Sequence, residues 1–155
     1  MLSRICHYLY NRFETETRTG TWTVSDGTIS ADLKEGQRFW ILGSDLNDGL
    51  YTYHATGVMD DDDLLPAQLL DETFDGAILP AAVPRDLLDL AGEIRDWVSS
   101  YGDRVDSPFQ SENVIGVYSY SKGANGSGAS GSSGVTTWQS TFATRLAPWK
   151  RTGWL

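Results

Sequence analysis

The sequence has one cysteine, Cys6, only two histidines, and no apolar run that approaches the length of a membrane-spanning helix. A single cysteine excludes an internal disulfide and a zinc site built from cysteines. The absence of a long apolar run excludes a transmembrane helix. The first residues (MLSRICHYLYNRF) carry Arg4 and Arg12 and do not have the pattern of a secretory signal. These features predict a protein that folds in a reducing cytoplasm and has no membrane partner.

Positive charge is scarce in most of the chain, whose net charge is −9. Residues 1–106 carry 20 acidic and 8 basic side chains, a net charge of −12, whereas residues 107–155 carry one acidic and four basic side chains, a net charge of +3. An acidic body argues against a grip on nucleic acid. The distribution is typical of an acidic scaffold whose basic end docks elsewhere.

Apolar spacing predicts a first helix over residues 2–13, with Cys6 on its apolar side as a buried, inert thiol. Five short strands with intervening turns follow, and they predict a small barrel or curled sheet that Pro80 and Pro84 close. Asp26-Gly27 is the clearest hairpin turn. The predicted strands cover residues 21–25, 28–31, 37–42, 50–56 and 77–79.

The strongest helical pattern lies over residues 87–101, with Pro84 near its start. Leu90, Ile94 and Trp97 are predicted to be core residues of this helix. Residues 114–121 predict a strand, and Thr137 is suited to cap a second helix that carries Trp138, Phe142, Leu146 and Trp149. Between them, residues 123–134 form a Gly/Ser/Ala segment that predicts a flexible loop, with glycines at Gly123, Gly126, Gly128, Gly131 and Gly134.

These elements predict an α+β protein with a small barrel-like β insertion, a helical part with two main helices, and a C-terminal extension. The predicted segments are an N-terminal helix (1–19), a β-rich subdomain (20–79), a helical part (80–148) and a C-terminal tail (149–155).

Candidate chemistry is sparse, and the sequence predicts no enzyme, no cofactor and no metal. Residues 60–63 are four consecutive aspartates, but they lack the ligand spacing of a calcium loop, so a solvated run is favoured. His7 and His54 have no nucleophile motif beside them. Asp71, Glu72 and Asp75 could form an acid–base pair, although solvated surface carboxylates are the more ordinary interpretation.

The C-terminal tail combines large apolar and basic side chains, a composition typical of interface anchors. The tail is therefore predicted to dock on a partner, and the alternative is that it folds back on its own protein. The predicted docking residues are Trp149, Lys150, Arg151, Trp154 and Leu155.

Several stretches resemble the head–tail adaptor, or connector, proteins of long-tailed phages and prophages of Gram-positive bacteria. The most specific is residues 111–120 (SENVIGVYSY), which is similar, in its SE, G and YSY residues, to a segment that follows the main helix of such adaptors. The others are residues 39–53 (FWILGSDLNDGLYTY), 71–79 (DETFDGAIL), 91–97 (AGEIRDW), 107–122 (SPFQSENVIGVYSYSK) and 137–146 (TWQSTFATRL).

The resemblance implies a structural virion protein in the phage neck, assembled in the bacterial host cytoplasm. It implies a homo-oligomeric ring, typically twelve-fold, that docks on the portal protein and meets a stopper or tail-completion protein, with DNA passing through the lumen without specific binding. An acidic wall fits such a channel because it repels phosphates. Simpler adaptors are nearly all helical, so the β-rich segment 20–79 leaves a stopper or another neck protein as an alternative. A small carbohydrate-binding module that uses Trp22, Trp40 and Tyr53 is a further alternative.

Overall fold

The computed structural model describes residues 1–101 and 136–152. Their contacts form two compact units: Met1–Leu88 with the described residues from Lys150 onward, and the described residues of Asp89–Trp149. Predicted segments 1–19 and 20–79 both lie in the first unit, and segment 80–148 is divided at Leu88. The elements are α1 (Leu2–Leu9), β1 (Arg18–Ser25), β2 (Thr28–Ile29), β3 (Arg38–Leu42), β4 (Gly49–Thr52), β5 (Glu72–Ala81), α2 (Arg85–Tyr101) and α3 (Trp138–Leu146), with a 3-10 turn at Ala147–Trp149.

Helix α1 buries its apolar side but ends four residues before the predicted boundary. Tyr10 adopts the left-handed conformation (φ 54°), and the N–H groups of Tyr10 and Asn11 bond to the carbonyls of His7 and Cys6. This Schellman arrangement satisfies the last helical carbonyls and stops the helix. A tyrosine in place of the usual glycine hides the stop signal from sequence analysis. The buried side chains are Leu2, Ile5, Cys6 and Leu9.

The five strands form one antiparallel sheet in the order β2-β1-β5-β3-β4, curled into a half-barrel. The predicted curled sheet and the mixed α+β class are therefore confirmed. The Asp26-Gly27 turn joins β1 and β2 as predicted, with both residues at positive φ (54° and 76°). Such a pair of dihedrals matches the right-handed twist of the flanking strands.

The core of the sheet lies on one face, and β3 is buried on both. Phe39 and Ile41 join the core cluster, whereas Trp40 points to the opposite face, where its indole meets His7 of α1 edge-on with 5.5 Å between ring centroids. The first helix thus covers the second face of the sheet at Trp40. The buried core cluster comprises Val24, Ile29, Leu33, Phe39, Ile41, Val58, Leu69, Phe74 and Ile78.

Strand β5 is the longest and the central strand, so the prediction of a short last strand over 77–79 is wrong in extent. Pro80 lies inside the strand and does not close the region. The carbonyl of Pro80 accepts a hydrogen bond from the N–H of Thr15 (2.8 Å), so pairing continues beyond β1 although proline supplies no N–H.

Helices α2 and α3 follow their predicted positions. Leu90 and Ile94 are buried as predicted, but Trp97 is only half-buried, because it lies a turn further along α2, near its end. Thr137 caps α3 and forms a capping box with Ser140. The predicted strand 114–121 and the loop 123–134, with its five glycines, lie outside the described residues.

Candidate interaction site at the first helix

The described part of the C-terminal tail lies against the end of α1. The N–H of Arg151 donates to the carbonyl of Leu9 (2.8 Å), a helix-terminal acceptor that would otherwise need water. The guanidinium of Arg151 lies 3.3 Å from Glu14, and the Lys150 ammonium lies 4.1 Å from the centre of the Tyr8 ring. Two cations at a helix C-terminus also match its negative dipole end.

The α1–tail surface is defined here as Tyr8, Tyr10, Glu14, Lys150 and Arg151. Both of its cations are exposed to solvent. The side chain of Arg151 is 46% exposed, and Tyr10 is 44% exposed beside the end of α1. Trp149 is half-buried at the end of the 3-10 turn. Lys150 and Arg151 contact α1 of their own protein, as the fold-back alternative predicts, and Trp154 and Leu155 lie outside the described residues.

Two aspartates from residues 60–63 hold the other end of α1. Oδ2 of Asp61 accepts from the N–H of Ser3 (2.6 Å), Oδ1 of Asp62 accepts from the N–H of Leu2 (3.2 Å), and both carboxylates contact the Met1 ammonium (3.0 and 2.8 Å). Their side chains are only 15% and 10% exposed, so the prediction of a solvated run is wrong for Asp61 and Asp62.

The N-terminus of α1 favours negative charge beside it. Carboxylates at a helix N-terminus satisfy free N–H groups and complement the positive end of the dipole. Burial alone would lower the pKa of the Met1 ammonium, but hydrogen bonds and the negative charges of Asp62 and Asp61 outweigh burial and raise it. Asp61 and Asp62 are therefore capping residues of α1.

Asp61→Ala is expected to lower the free energy of unfolding by about 1–2 kcal/mol, since it removes a helix cap and a dipole partner. Asp61→Asn keeps an oxygen acceptor and isolates the effect of charge, so it is expected to lose less. Urea unfolding followed by circular dichroism measures both. An alanine variant as stable as the parent would show that Asp61 does not support α1.

His54 lies between two carboxylates. Its Nδ1 is 2.5 Å from Oε2 of Glu35, and its Nε2 is 2.7 Å from Oδ1 of Asp63. Oε1 of Glu35 also accepts from the N–H of Ala55 (2.8 Å). Two hydrogen bonds from the ring raise the pKa of His54, and the bond to Glu35 has a larger effect than the bond to Asp63. The hydrogen bond from Ala55, with that from His54, lowers the pKa of Glu35.

The carboxylates predicted as a candidate acid–base pair are each engaged separately. Glu72 accepts from the hydroxyl of Ser44, the N–H of Asp45 and the amide of Asn47, and the bond from Ser44 is the main reason its pKa is lowered. Asp71 and Asp75 bond elsewhere, to the N–H of Asp26 (2.9 Å) and the hydroxyl of Thr21 (2.6 Å). These contacts fix turns and strands, and they do not converge on one substrate position.

In the second unit, Arg145 of α3 forms a two-pronged ion pair with Glu93 of α2 (2.9 and 2.8 Å). This hydrogen-bonded pairing lowers the pKa of Glu93 and raises that of Arg145. Trp97 meets Phe142 edge-on with 6.1 Å between ring centroids. An ion pair and an aromatic contact therefore hold α2 and α3 together.

The aromatic residues of the carbohydrate-binding alternative do not form an exposed platform. Trp40 is 1% exposed, and its Nε1–H donates to the carbonyl of Arg12 (3.0 Å). Trp22 and Tyr53 are partly buried and pack against the core cluster. A sugar-binding face needs accessible rings, and Trp40 is not available for one.

The remaining candidates for chemistry are structural in the described residues. Cys6 is buried as predicted, and burial raises its pKa to about 12, so the thiol stays protonated. Within residues 1–101 and 136–152, no group of three or more His, Cys, Asp or Glu side chains is arranged to hold a metal ion. No helix in that part of the chain has the length and hydropathy to cross a membrane.

No family model matches the chain, and no curated protein and no solved structure matches it. The fold and site define an α+β protein in which one helix, α1, is fixed at its start by acidic side chains and at its end by a basic tail.

Proposed function

We propose that the chain is a structural, non-enzymatic subunit of a phage head–tail connector, an adaptor that joins the capsid portal to the tail. The observation that carries the proposal is the sequence resemblance together with where its segments lie. Four of them fall on the β3–β4 hairpin (39–53), on β5 (71–79), on α2 (91–97) and on α3 (137–146), and residues 107–122, which contain the most specific segment, lie outside the described residues. The resemblance thus covers elements that build both units, and a scattered surface likeness would not do so.

The proposed portal-binding surface is the α1–tail surface. The tail presents the cations of Lys150 and Arg151 from a fixed position, because the main chain of Arg151 is bonded to Leu9. Preorganised side chains lose less freedom on binding. Arginine pairs well with carboxylates of a partner. Repetition around a ring, for which twelve copies are proposed, multiplies a modest affinity per chain.

The acidic charge of residues 1–106 supports a channel wall along which DNA passes without specific binding. In this proposal the ring forms in the bacterial host cytoplasm and belongs to the virion neck, where its far side meets a stopper or tail-completion protein. The curled sheet is the observation that favours a second candidate, a stopper or other neck protein, because simpler adaptors are nearly all helical. Both candidates place the chain in the same assembly.

The test uses tailless capsids from a strain in which this gene has been deleted. The double variant Lys150→Glu/Arg151→Glu is expected to co-sediment with them at least about tenfold less than the parent, because it reverses both cations. The variant is expected to stay folded, because exposed ion pairs and cation–π contacts each contribute about 1 kcal/mol or less. The main-chain bond from Arg151 to Leu9 does not involve either of the changed side chains.

Lys34→Glu is the matched control, since it reverses an exposed cation of the same unit that is not part of the α1–tail surface. It is expected to co-sediment as the parent does. Parent-level attachment of the double variant would exclude the tail as the docking element. Failure of the parent protein itself to attach would contradict the connector function.

A further inference from the structure

The contacts of His54 depend on protonation for a reason visible in the geometry. Each ring nitrogen faces a carboxylate oxygen, at 2.5 Å from Glu35 and 2.7 Å from Asp63. A carboxylate only accepts hydrogen bonds, so both nitrogens must carry protons for both contacts to form. Neutral imidazole has a single N–H. The doubly bridged arrangement therefore requires the imidazolium, and deprotonation breaks one of the two contacts.

The contact with Asp63 is the less constrained of the two. Glu35 is also fixed by the N–H of Ala55, next to His54 in the chain, so its carboxylate and the ring stay together. The Asp63 contact joins a different loop. The neutral ring is thus expected to keep its proton on Nδ1 for Glu35. Its Nε2 then turns a lone pair toward Asp63, which repels the carboxylate.

Asp63 belongs to a loop tip, residues 63–65, that carries two exposed leucines. Leu64 and Leu65 are 56% and 65% exposed, and Asp63 has a positive φ of 60°. The base of the loop is anchored separately, because Thr52 exchanges main-chain hydrogen bonds with Met59 (2.9 and 2.8 Å). The tip is also closed on Asp60, which accepts from the N–H groups of Asp63 (3.0 Å) and Leu64 (2.9 Å) and donates its own N–H to the carbonyl of Leu65 (2.8 Å). A change at Asp63 therefore acts on the tip as one turn and leaves the loop base in place.

We propose that His54 controls the leucine-bearing tip 63–65 through its protonation. The charged ring holds the tip in place, and the neutral ring releases it. The charged groups that face the ring are Glu35, from the turn before β3, and Asp63, from the loop after β4. Both stabilise the charged form, which agrees with the raised pKa of His54. The contact between His54 and Asp63 is therefore present at acidic pH and is lost as the pH rises through that raised pKa.

The test is a nuclear magnetic resonance titration of the full chain from about pH 5.5 to about pH 9, between the carboxyl and tyrosine titrations. His54 is expected to titrate above its ordinary value of 6.5. The order parameters of the Leu64 and Leu65 methyl groups are expected to fall with the same midpoint, and carbon relaxation measures them because exposed amide protons exchange with water at high pH. Unchanged order in the tip through the His54 titration, or a midpoint at or below 6.5, would overturn the proposal.

Asp63→Asn is the decisive variant, since an amide can either accept from or donate to Nε2 and pairs with both forms of the ring. It is expected to lower the titration midpoint of His54 and to make the order of the tip independent of pH. A second variant, His54→Phe, keeps a ring without hydrogen bonds, and its tip is expected to be mobile at every pH. A tip that responds to pH in either variant as in the parent would also overturn the proposal.

Discussion

Trp40→Ala is expected to lower the free energy of unfolding by about 3–5 kcal/mol, the usual range when a large buried aromatic side chain is removed. Trp40 is 1% exposed and lies between the sheet and α1. Its indole contacts His7, its N–H bonds to the carbonyl of Arg12, and the guanidinium of Arg12 lies 5.8 Å from the ring centre. Alanine fills none of this space and leaves the carbonyl without its donor. Urea unfolding followed by circular dichroism measures the loss.

Two further variants separate the causes of this loss of stability. Trp40→Phe keeps most of the apolar volume but lacks the N–H, so it is expected to lose clearly less than alanine. Trp97→Ala removes the same side chain at a half-buried position, and it is also expected to lose less than Trp40→Ala. Equal losses at Trp40 and Trp97 would contradict the assignment of Trp40 as the packing centre between sheet and helix.

Gly76→Ala is expected to lower the free energy of unfolding by about 3 kcal/mol, at the upper end of the effects of overpacking. A Cβ at Gly76 would lie 2.2 Å from the carbonyl oxygen of Leu42 and 3.0 Å from the ring of Phe74. The neighbouring Gly43 has a φ of 90°, and a Cβ there would lie 3.0 Å from the Cα of Gly76. The main chains of β3 and β5 approach so closely at this curl that only glycine fits.

The same change at Gly92 is the matched control. Gly92 lies within α2, and an added Cβ would meet only the end of the flexible Arg95 side chain, at 3.5 Å. Alanine favours the helix over glycine by about 1 kcal/mol. Gly92→Ala is therefore expected to leave stability unchanged or to raise it. Thermal unfolding measures the stability of both variants. A Gly76→Ala protein as stable as the parent would contradict the close approach of the main chains at Gly43 and Gly76.

Features with a local cause could be predicted from the sequence. The Asp26-Gly27 hairpin follows from two residues that tolerate positive φ. Helix α2 follows from its apolar stripe, and the start of α3 follows from Thr137, which bonds to the N–H of Ser140 three residues later. The burial of Leu90 and Ile94 follows from the same periodicity. In each case the evidence lies within one or two turns of chain.

The features that were missed depend on residues far apart in the chain. Asp61 and Asp62 are about 60 positions from the helix end that they cap, and the bond from Arg151 to Leu9 spans most of the sequence. Strand β5 extends past Pro80, where Ala81 pairs with Arg38 of β3 and with Glu14. No local pattern contains these partners. The bridged geometry of His54 is invisible in sequence for the same reason.

The candidate site combines both kinds of feature. The basic and apolar composition of residues 149–155 indicates an interaction element from sequence alone, but the contact of Lys150 with Tyr8 shows that its described part is laid on α1. The contacts of Lys150 and Arg151 add Tyr8 and Glu14 to the proposed surface, which also includes exposed Tyr10 at the end of α1. Docking on a portal stays a prediction for Trp149, Lys150, Arg151, Trp154 and Leu155.

Electron cryo-microscopy of the portal vertex, on tailless capsids to which the purified chain has been added back, tests the connector proposal most directly. The account predicts a closed ring of identical copies beneath the portal, each with its five-stranded sheet resolved and its α1–tail surface against the portal. A vertex that remains bare at saturating protein, or copies bound elsewhere on the capsid, would contradict it.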